Sequence, residues 1–341
     1  MRRALTTTLL LSLILAGCAS AVDAPVDTPT LPTDTVDPSD PTDAVDDRFY
    51  DPAFDGDRAL EQARRQVLDA DGRVRHRIPG TPGNDAVAAY LAATMDELGF
   101  ATSYHHFNAT YGCEQVAMHN VVADRPGTSG RMVVFGAHYD TRPIADKDPD
   151  ASRRAEPNDG AVDGASGVAV LLELARVLPA SNDAVRFVFF DGEDGGSYQG
   201  AQCTEWILGS RAYATSLEQA EIDSMAAFVL VDMVGDPEMR LPYEMNTRAD
   251  TPSRQVQDAI YLEAELRGHD AFVRSNGYGI LDDHVPFLER MVPSVDLIHM
   301  VASGGVFPAW HHTHADTLAA LDAGSLEQVG ATLEAWFAAR D

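Results

Sequence analysis

Apolar residues recur along this chain in two rhythms. At helical spacing they mark residues 59–68 and 86–98, the latter through Val87, Tyr90, Leu91, Met95 and Leu98, with Gly99 as a stop. Stretches 164–178, 255–266 and 318–339 also read as helices. Short, nearly continuous apolar runs at 132–135, 185–190, 226–231 and 295–298 read as strands buried on both faces, and 103–107 and 120–123 are further strand candidates. Between the first two helices, Arg77-Ile78-Pro79-Gly80-Thr81-Pro82-Gly83 reads as a rigid, turn-rich loop. Strands alternating with helices predict an α/β fold, with a mostly parallel central sheet covered by helices on both faces.

The polar residues that break this pattern fall where apolar strands end. Run 132–135 leads into Gly136-Ala137-His138-Tyr139-Asp140, and run 185–190 into Asp191-Gly192-Glu193-Asp194. Phe228-Val229-Leu230-Val231 ends at Asp232, and run 295–298 precedes a loop carrying His312. Asp163 stands just before the helix 164–178. In an open α/β sheet, ligands bind outside the carboxyl ends of the strands. Two histidines and several carboxylates arriving there form a donor set that zinc accepts. Adjacent Glu193 and Asp194 can divide proton transfer and metal binding. The pattern reads as a zinc enzyme. Plainer uses exist: Asp163 could cap the helix, Asp232 could be a turn residue, and Glu173 reads as a solvated or salt-bridged helix-face residue. Gly164-Ala165-Ser166-Gly167 lacks the Gly-x-Ser-x-Gly spacing of a nucleophile elbow, which argues against a serine hydrolase.

The amino terminus changes the picture of where the chain works. Met1-Arg2-Arg3, an apolar stretch to Leu15 and then Leu15-Ala16-Gly17-Cys18 describe an export signal too short for an ordinary membrane span. Its last four residues resemble the bacterial lipoprotein signal. That resemblance implies cleavage before Cys18 and lipidation there, with several acyl chains giving stable anchoring. Ala19 and Ser20 are not the usual inner-membrane retention signal, so an outer membrane is the expected destination. Residues 19–51 contain nine Asp and one cation, Arg48, among Pro, Thr and Val. Such a segment cannot bury enough apolar surface to offset its ordering entropy, and it reads as a disordered tether. The expected division is a signal at 1–17, a lipid-anchored acidic tether at 18–51 and a catalytic domain at 52–341. The whole chain carries −28; without the tether's −8 and the two leading arginines, residues 52–341 carry −22. That excludes the basic footprint nucleic acid requires. Beyond Cys18 only Cys113 and Cys203 remain, which could pair in an oxidising compartment or stay buried and free.

Five blocks, taken together, resemble a known superfamily. They are Gly136-Ala137-His138-Tyr139-Asp140; Asp163-Gly164-Ala165-Ser166-Gly167 with Leu171-Leu172-Glu173-Leu174-Ala175-Arg176; Phe189-Phe190-Asp191-Gly192-Glu193-Asp194; Asp282-Asp283-His284-Val285-Pro286-Phe287; and His312-Thr313-His314-Ala315-Asp316-Thr317. They are similar, in content and order, to the zinc aminopeptidases of metallopeptidase family twenty-eight and the related glutaminyl cyclases. The resemblance implies zinc ligands at Asp163, Asp194 and His312, with Glu193 as the general base. In the aminopeptidases His138 and Asp232 complete a second zinc site bridged by Asp163, so one zinc is expected of a cyclase and two are possible for a peptidase. Asp316 is expected to orient His312. The Asp282 loop, the strand ending at Asp232 and Trp206, an expected aromatic wall for substrate, lean towards a glutaminyl cyclase, with Asp232 and Asp282 as catalytic groups. His311, where animal cyclases have Trp, and Leu281, where they have Gln, lean away; His311 is nonetheless placed at the substrate. The expected partners are peptide or protein N-termini, the protein acting as a monomer. The alternatives are an aminopeptidase and a non-catalytic binding domain of the same fold.

Overall fold

A computed structural model of the protein describes residues 50–196 and 205–340. Cys18, the export signal, nearly all of the acidic segment and Cys203 lie outside the described residues.

Five helices and six strands were expected, and the central strands fall where the apolar runs lie. β1 (Ala101–Tyr111), β2 (Glu114–Arg125), β3 (Met132–His138), β4 (Ala184–Phe190) and β5 (Met225–Asp232) are followed by β6 (Leu241–Tyr243), β7 (Phe272–Asn276) and β8 (Ser294–Ile298). Six of them form one sheet in the order β1-β2-β4-β3-β5-β8. The pairings β3–β4, β3–β5 and β5–β8 are parallel; β1–β2 and β2–β4 are antiparallel. β6 and β7 pair separately. Every residue of β3 is buried, as expected of a central strand covered on both faces. β1 and β2 run longer than the expected strands. Their half-exposed alternation carries little apolar signal, and their turn is Gly112-Cys113 with both residues left-handed, at φ 59° and 67°. A two-residue loop of that conformation matches the twist of a hairpin. Cys113 is disulfide-bonded.

The helices are α1 (Gly56–Val67), α2 (Pro82–Glu97), α3 (Ala165–Val177), α4 (Leu208–Ser216), α5 (Gln219–Ser224), α6 (Met245–Ala249), α7 (Thr251–Arg267), α8 (Val285–Leu288) and α9 (Ala323–Ala338). Leu91, Leu171, Ile260 and Val329 from α2, α3, α7 and α9 pack one face of the sheet around Phe135 and Phe187. Tyr213, Ile222 and Phe287 from α4, α5 and α8 cover the other, against Phe190 and Phe228. α2 starts earlier than expected because Thr81 caps it and Pro82 occupies its first turn. The expected single helix over 318–339 is broken. Residues 318–320 form a 3₁₀ turn, and Asp322 accepts the Ser325 N–H at 2.9 Å to start α9 afresh.

α3 is buried from Ala165 to Ala175. A Cβ on Gly167 would lie 2.0 Å from the Val231 carbonyl oxygen, so glycine lets the helix press against the end of β5. Asp163, just before α3, and Asp232, closing β5, are thereby brought together. Glu173 is buried and paired with Arg176, not solvated. Buried Glu334 on α9 accepts Tyr50 O–H at 2.5 Å and Phe54 N–H at 2.9 Å, fastening the start of the described chain to the domain.

Candidate active site

A cavity of about 390 Å³ opens at the carboxyl ends of the parallel strands. Eight of the nine residues expected at the site line it: Asp163, Glu193, Asp194 and Asp232 on its floor, with Trp206, Asp282, His311 and His312 around them. His138 lies just beneath. Its Nε2 is 3.1 Å from Asp163 Oδ1 and 3.2 Å from Asp232 Oδ1, while Nδ1 is 3.3 Å from Asp140 Oδ1. His312 Nε2 is 3.1 Å from Asp194 Oδ1 and 3.6 Å from Asp163 Oδ2. The shorter side chain of Asp194 therefore still reaches its partner.

Local structure fixes each of these groups. Asp140 accepts the backbone N–H groups of Glu193 and Asp194, at 3.0 and 3.1 Å, tying the end of β4 to that of β3. Asp163 is not a helix cap: Gly164, at φ 97°, precedes α3 without a side-chain cap, and the Asp163 carboxylate turns to His138. Asp316 accepts N–H bonds from Val162 at 2.6 Å and Asp163 at 3.3 Å. It steadies the Asp163 backbone, not the His312 ring as expected. Ser166 donates to Val162 O and accepts Val234 N–H, which is a turn-packing role. His312 and Met233 sit in the left-handed region at φ 59° and 47°. Such non-glycine strain concentrates where the surroundings over-determine a conformation.

The electrostatics divide the acids into two kinds. Burial opposes the charge on Asp163, but the hydrogen bond from His138 and the nearby His311 and His312 hold its carboxyl well below the usual range. Burial pushes Glu193 well above it, with Asp282 and Asp194 adding to the effect. Asp282 is also pushed well up, by burial and then by Asp232 and Asp283. Burial and neighbouring charges thus push these carboxyls in opposite directions, Asp163 down and Glu193 and Asp282 up, the separation that acid–base chemistry uses.

A metal ion fits this donor set. Ligand atoms of Asp163, His311 and His312 lie within 4.8 Å of one another, as do those of His138, Asp163 and Asp232. Asp194 joins the first group through His312, and its Oδ2 is buried without a hydrogen-bond partner. Carboxylate and imidazole suit zinc.

Several site residues escaped the sequence. Arg142 reaches Asp194 Oδ1 at 3.2 Å and Asp146 Oδ1 at 2.7 Å, and its guanidinium lies 5.0 Å from the Trp206 ring. Trp206 in turn stacks on His312, with centroids 6.0 Å apart and planes at 15°, so it is a wall and not a core aromatic. Lys147 and Phe307 also line the cavity. A charge in a loop carries no signal of its own; only the Arg-Pro and Asp-Pro steps nearby mark this loop as ordered. His314 binds Asp148 through both its backbone N–H and Nδ1, at 2.9 and 2.8 Å.

Known proteins resemble this chain in sequence and fold. Peptidase family M28 matches residues 120–337. A glutaminyl-peptide cyclotransferase-like protein of Mus musculus is 28% identical over 287 residues, covering 77% of this chain and 71% of that protein. The crystal structure of Porphyromonas gingivalis glutaminyl cyclase superposes with a TM-score of 0.77 at 30% identity, covering 85% of this chain and 100% of that one. Aminopeptidase YwaD of Bacillus subtilis is 30% identical over 202 residues, or 58% of this chain and 39% of that protein.

Proposed function

The chain belongs to peptidase family M28, and from that premise we propose that it converts the N-terminal glutamine of peptides to pyroglutamate, releasing ammonia. Asp163, Asp194 and His312 would hold one zinc ion. Bound there, zinc would act as a Lewis acid on the substrate's side-chain amide carbonyl. The protein's own groups do the rest. Trp206 and Phe307 enclose the glutamine side chain in the cavity. Folding it there brings its α-amine to its own amide carbon, and the intramolecular attack gains from proximity. The C–N bond of the lactam forms and the bond to the amide nitrogen breaks. Glu193 takes the proton the α-amine loses and gives it to that nitrogen, which leaves as ammonia. Asp282 and Asp232 steady the departing nitrogen.

The observation that carries this reading is the placement of Asp282 on the cavity wall with Glu193 and Asp232. Hydrolysis needs a base and a metal-held water; a third carboxyl serves a departing ammonia. The trio His138, Asp163 and Asp232 favours a second reading, a two-zinc aminopeptidase. Purified, zinc-supplied protein tested on Gln-initiated and Leu-initiated peptides separates the two. Ammonia and pyroglutamate with the peptide bond intact support cyclisation. A free N-terminal residue from Leu-initiated peptides, with no pyroglutamate from Gln-initiated ones, gives the aminopeptidase.

The same proposal covers location. Leu15-Ala16-Gly17-Cys18 supports export and lipid anchoring, with 18–51 as tether and 52–341 as a monomeric catalytic domain working on peptide or protein N-termini. Cys18→Ser should leave the protein unprocessed or soluble with catalysis intact; unlipidated, soluble wild-type protein would overturn the anchor.

A further inference from the structure

His311 and His312 are adjacent, their ring centroids 3.7 Å apart and their planes tilted by 32°, and both face Asp163. Their outer nitrogens differ. His312 Nδ1 is buried without a hydrogen-bond partner, its nearest carboxylate oxygen, Asp146 Oδ1, lying 3.7 Å away. His311 Nδ1 instead lies 2.8 Å from Lys147 Nζ. An ammonium has three donors and no lone pair, so Nδ1 must accept. A neutral ring then carries its proton on Nε2. That nitrogen cannot ligate a metal, although its position alone would allow it.

The ring is also held in place. Phe307 packs on it at 4.4 Å between centroids, and the Lys147 backbone N–H binds the His312 carbonyl at 3.2 Å. His311 lines the cavity, and its Nε2 lies 3.8 Å from Asp163 Oδ2, beyond hydrogen-bond reach. Among the described residues no protein acceptor meets it. Its charged and titratable neighbours are Lys147, Asp163, His312 and Arg142.

We propose that His311, fixed by Lys147 in the Nε2–H tautomer, is a substrate-binding donor that takes the carbonyl oxygen of the substrate's first peptide bond. The choice of acceptor rests on the cyclase reading. An N-terminal glutamine offers two nearby carbonyls, and the side-chain amide is the one that reacts at Asp163 and His312. The α-amine belongs to Glu193. The remaining acceptor is the peptide carbonyl, and His311 Nε2–H is a cavity donor that meets no protein acceptor within hydrogen-bond reach among the described residues. An aromatic wall at this position can stack on a substrate; His311 adds a polar requirement for an acyl group after the first residue.

The test uses the full chain loaded with zinc. With ¹⁵N-labelled histidine, the resonances lost in His311→Gln should show a protonated Nε2 and a bare Nδ1; Lys147→Met should yield a mixture of tautomers. A metal-bound or unprotonated Nε2 in the wild type overturns the proposal, as does loss of zinc in His311→Phe. Substrate contact is read by calorimetry in a Glu193→Gln background, where nothing turns over. There His311→Phe should weaken binding of a Gln-initiated peptide about tenfold, the scale of one hydrogen bond. His311→Gln, which keeps an amide N–H near the same place, should restore it to within about threefold. The penalty should vanish for a peptide whose first carbonyl is replaced by methylene; a penalty that persists overturns the contact. Neither readout needs turnover, so failure of the cyclase assay sinks the reaction and leaves the tautomer and contact to be judged separately.

Discussion

Replacing Glu193 by Gln separates chemistry from architecture at this site. The Glu193 backbone is held by Asp140 at 3.0 Å, a bond the substitution keeps. Among the described residues none donates a hydrogen bond to its carboxylate, and the side chain sits buried at the cavity beside other acids. The amide is nearly isosteric and removes one buried ionisable group, so stability should change by less than about 1 kcal/mol. Asp163, Asp194 and His312 are untouched, so zinc should stay. The whole effect then falls on the proton carried from α-amine to leaving nitrogen. General acid–base catalysis contributes about 10²–10⁴-fold, or roughly 2.7–5.4 kcal/mol of barrier. The assay is ammonia release at saturating Gln-initiated peptide, run beside a thermal melt and a zinc determination on the same preparation. A variant that keeps its zinc and its melt yet retains more than a tenth of wild-type kcat would refute the assignment of Glu193 as proton carrier.

Other expectations follow from the same geometry. Asp282→Ala should lower cyclisation by about a hundredfold or more, measured as pyroglutamate formed; a loss under threefold removes Asp282 from the reaction. His312→Ala should weaken zinc binding by more than about a hundredfold, since groups that merely orient ligands already cost 10–100-fold; chelator competition reads it, and unchanged affinity ends the metal assignment. Arg77 is fully buried and donates to the Tyr139, Asp159 and Gly160 carbonyls at 2.8, 3.0 and 2.6 Å. Arg77→Met should cost about 3–5 kcal/mol in urea unfolding, the scale for stripping a buried charged partner; a cost under 1 kcal/mol contradicts the network.

The strands that carry the site could be read from the sequence because they are short, β-branched and buried on both faces: β3, β4, β5 and β8 start or end within two residues of their apolar runs. The elements that escaped are those without such a signature. β6 spans three residues and α8 four, too short for any period to show, and α4 follows the Ile207 turn at φ 55° that nothing in its composition announces. In the site, the ligand-type residues were legible because each interrupts an apolar run or falls in a dense motif. Arg142 and Lys147 were not, because a loop cation gains meaning only from the acid or imidazole that the fold sets beside it. Asp316 was legible as a participant but not in its target: a carboxylate four residues from His312 in sequence reaches backbone N–H groups more than 150 residues away.

The close seat of α3 on β5 sorts the molecule into what can vary and what cannot. With no room for even a methyl group at Gly167, the two carboxylates at Asp163 and Asp232 are spaced by main chain against main chain, and no change of side chain elsewhere can retune that spacing gradually. The opposite rim is built from loops, with Tyr278 and Leu281 half in solvent. An engineer seeking a new peptide preference should therefore diversify the rim and leave the helix–strand seam alone: libraries at the former alter selectivity on an intact fold, while those at the latter yield mostly unfolded chains.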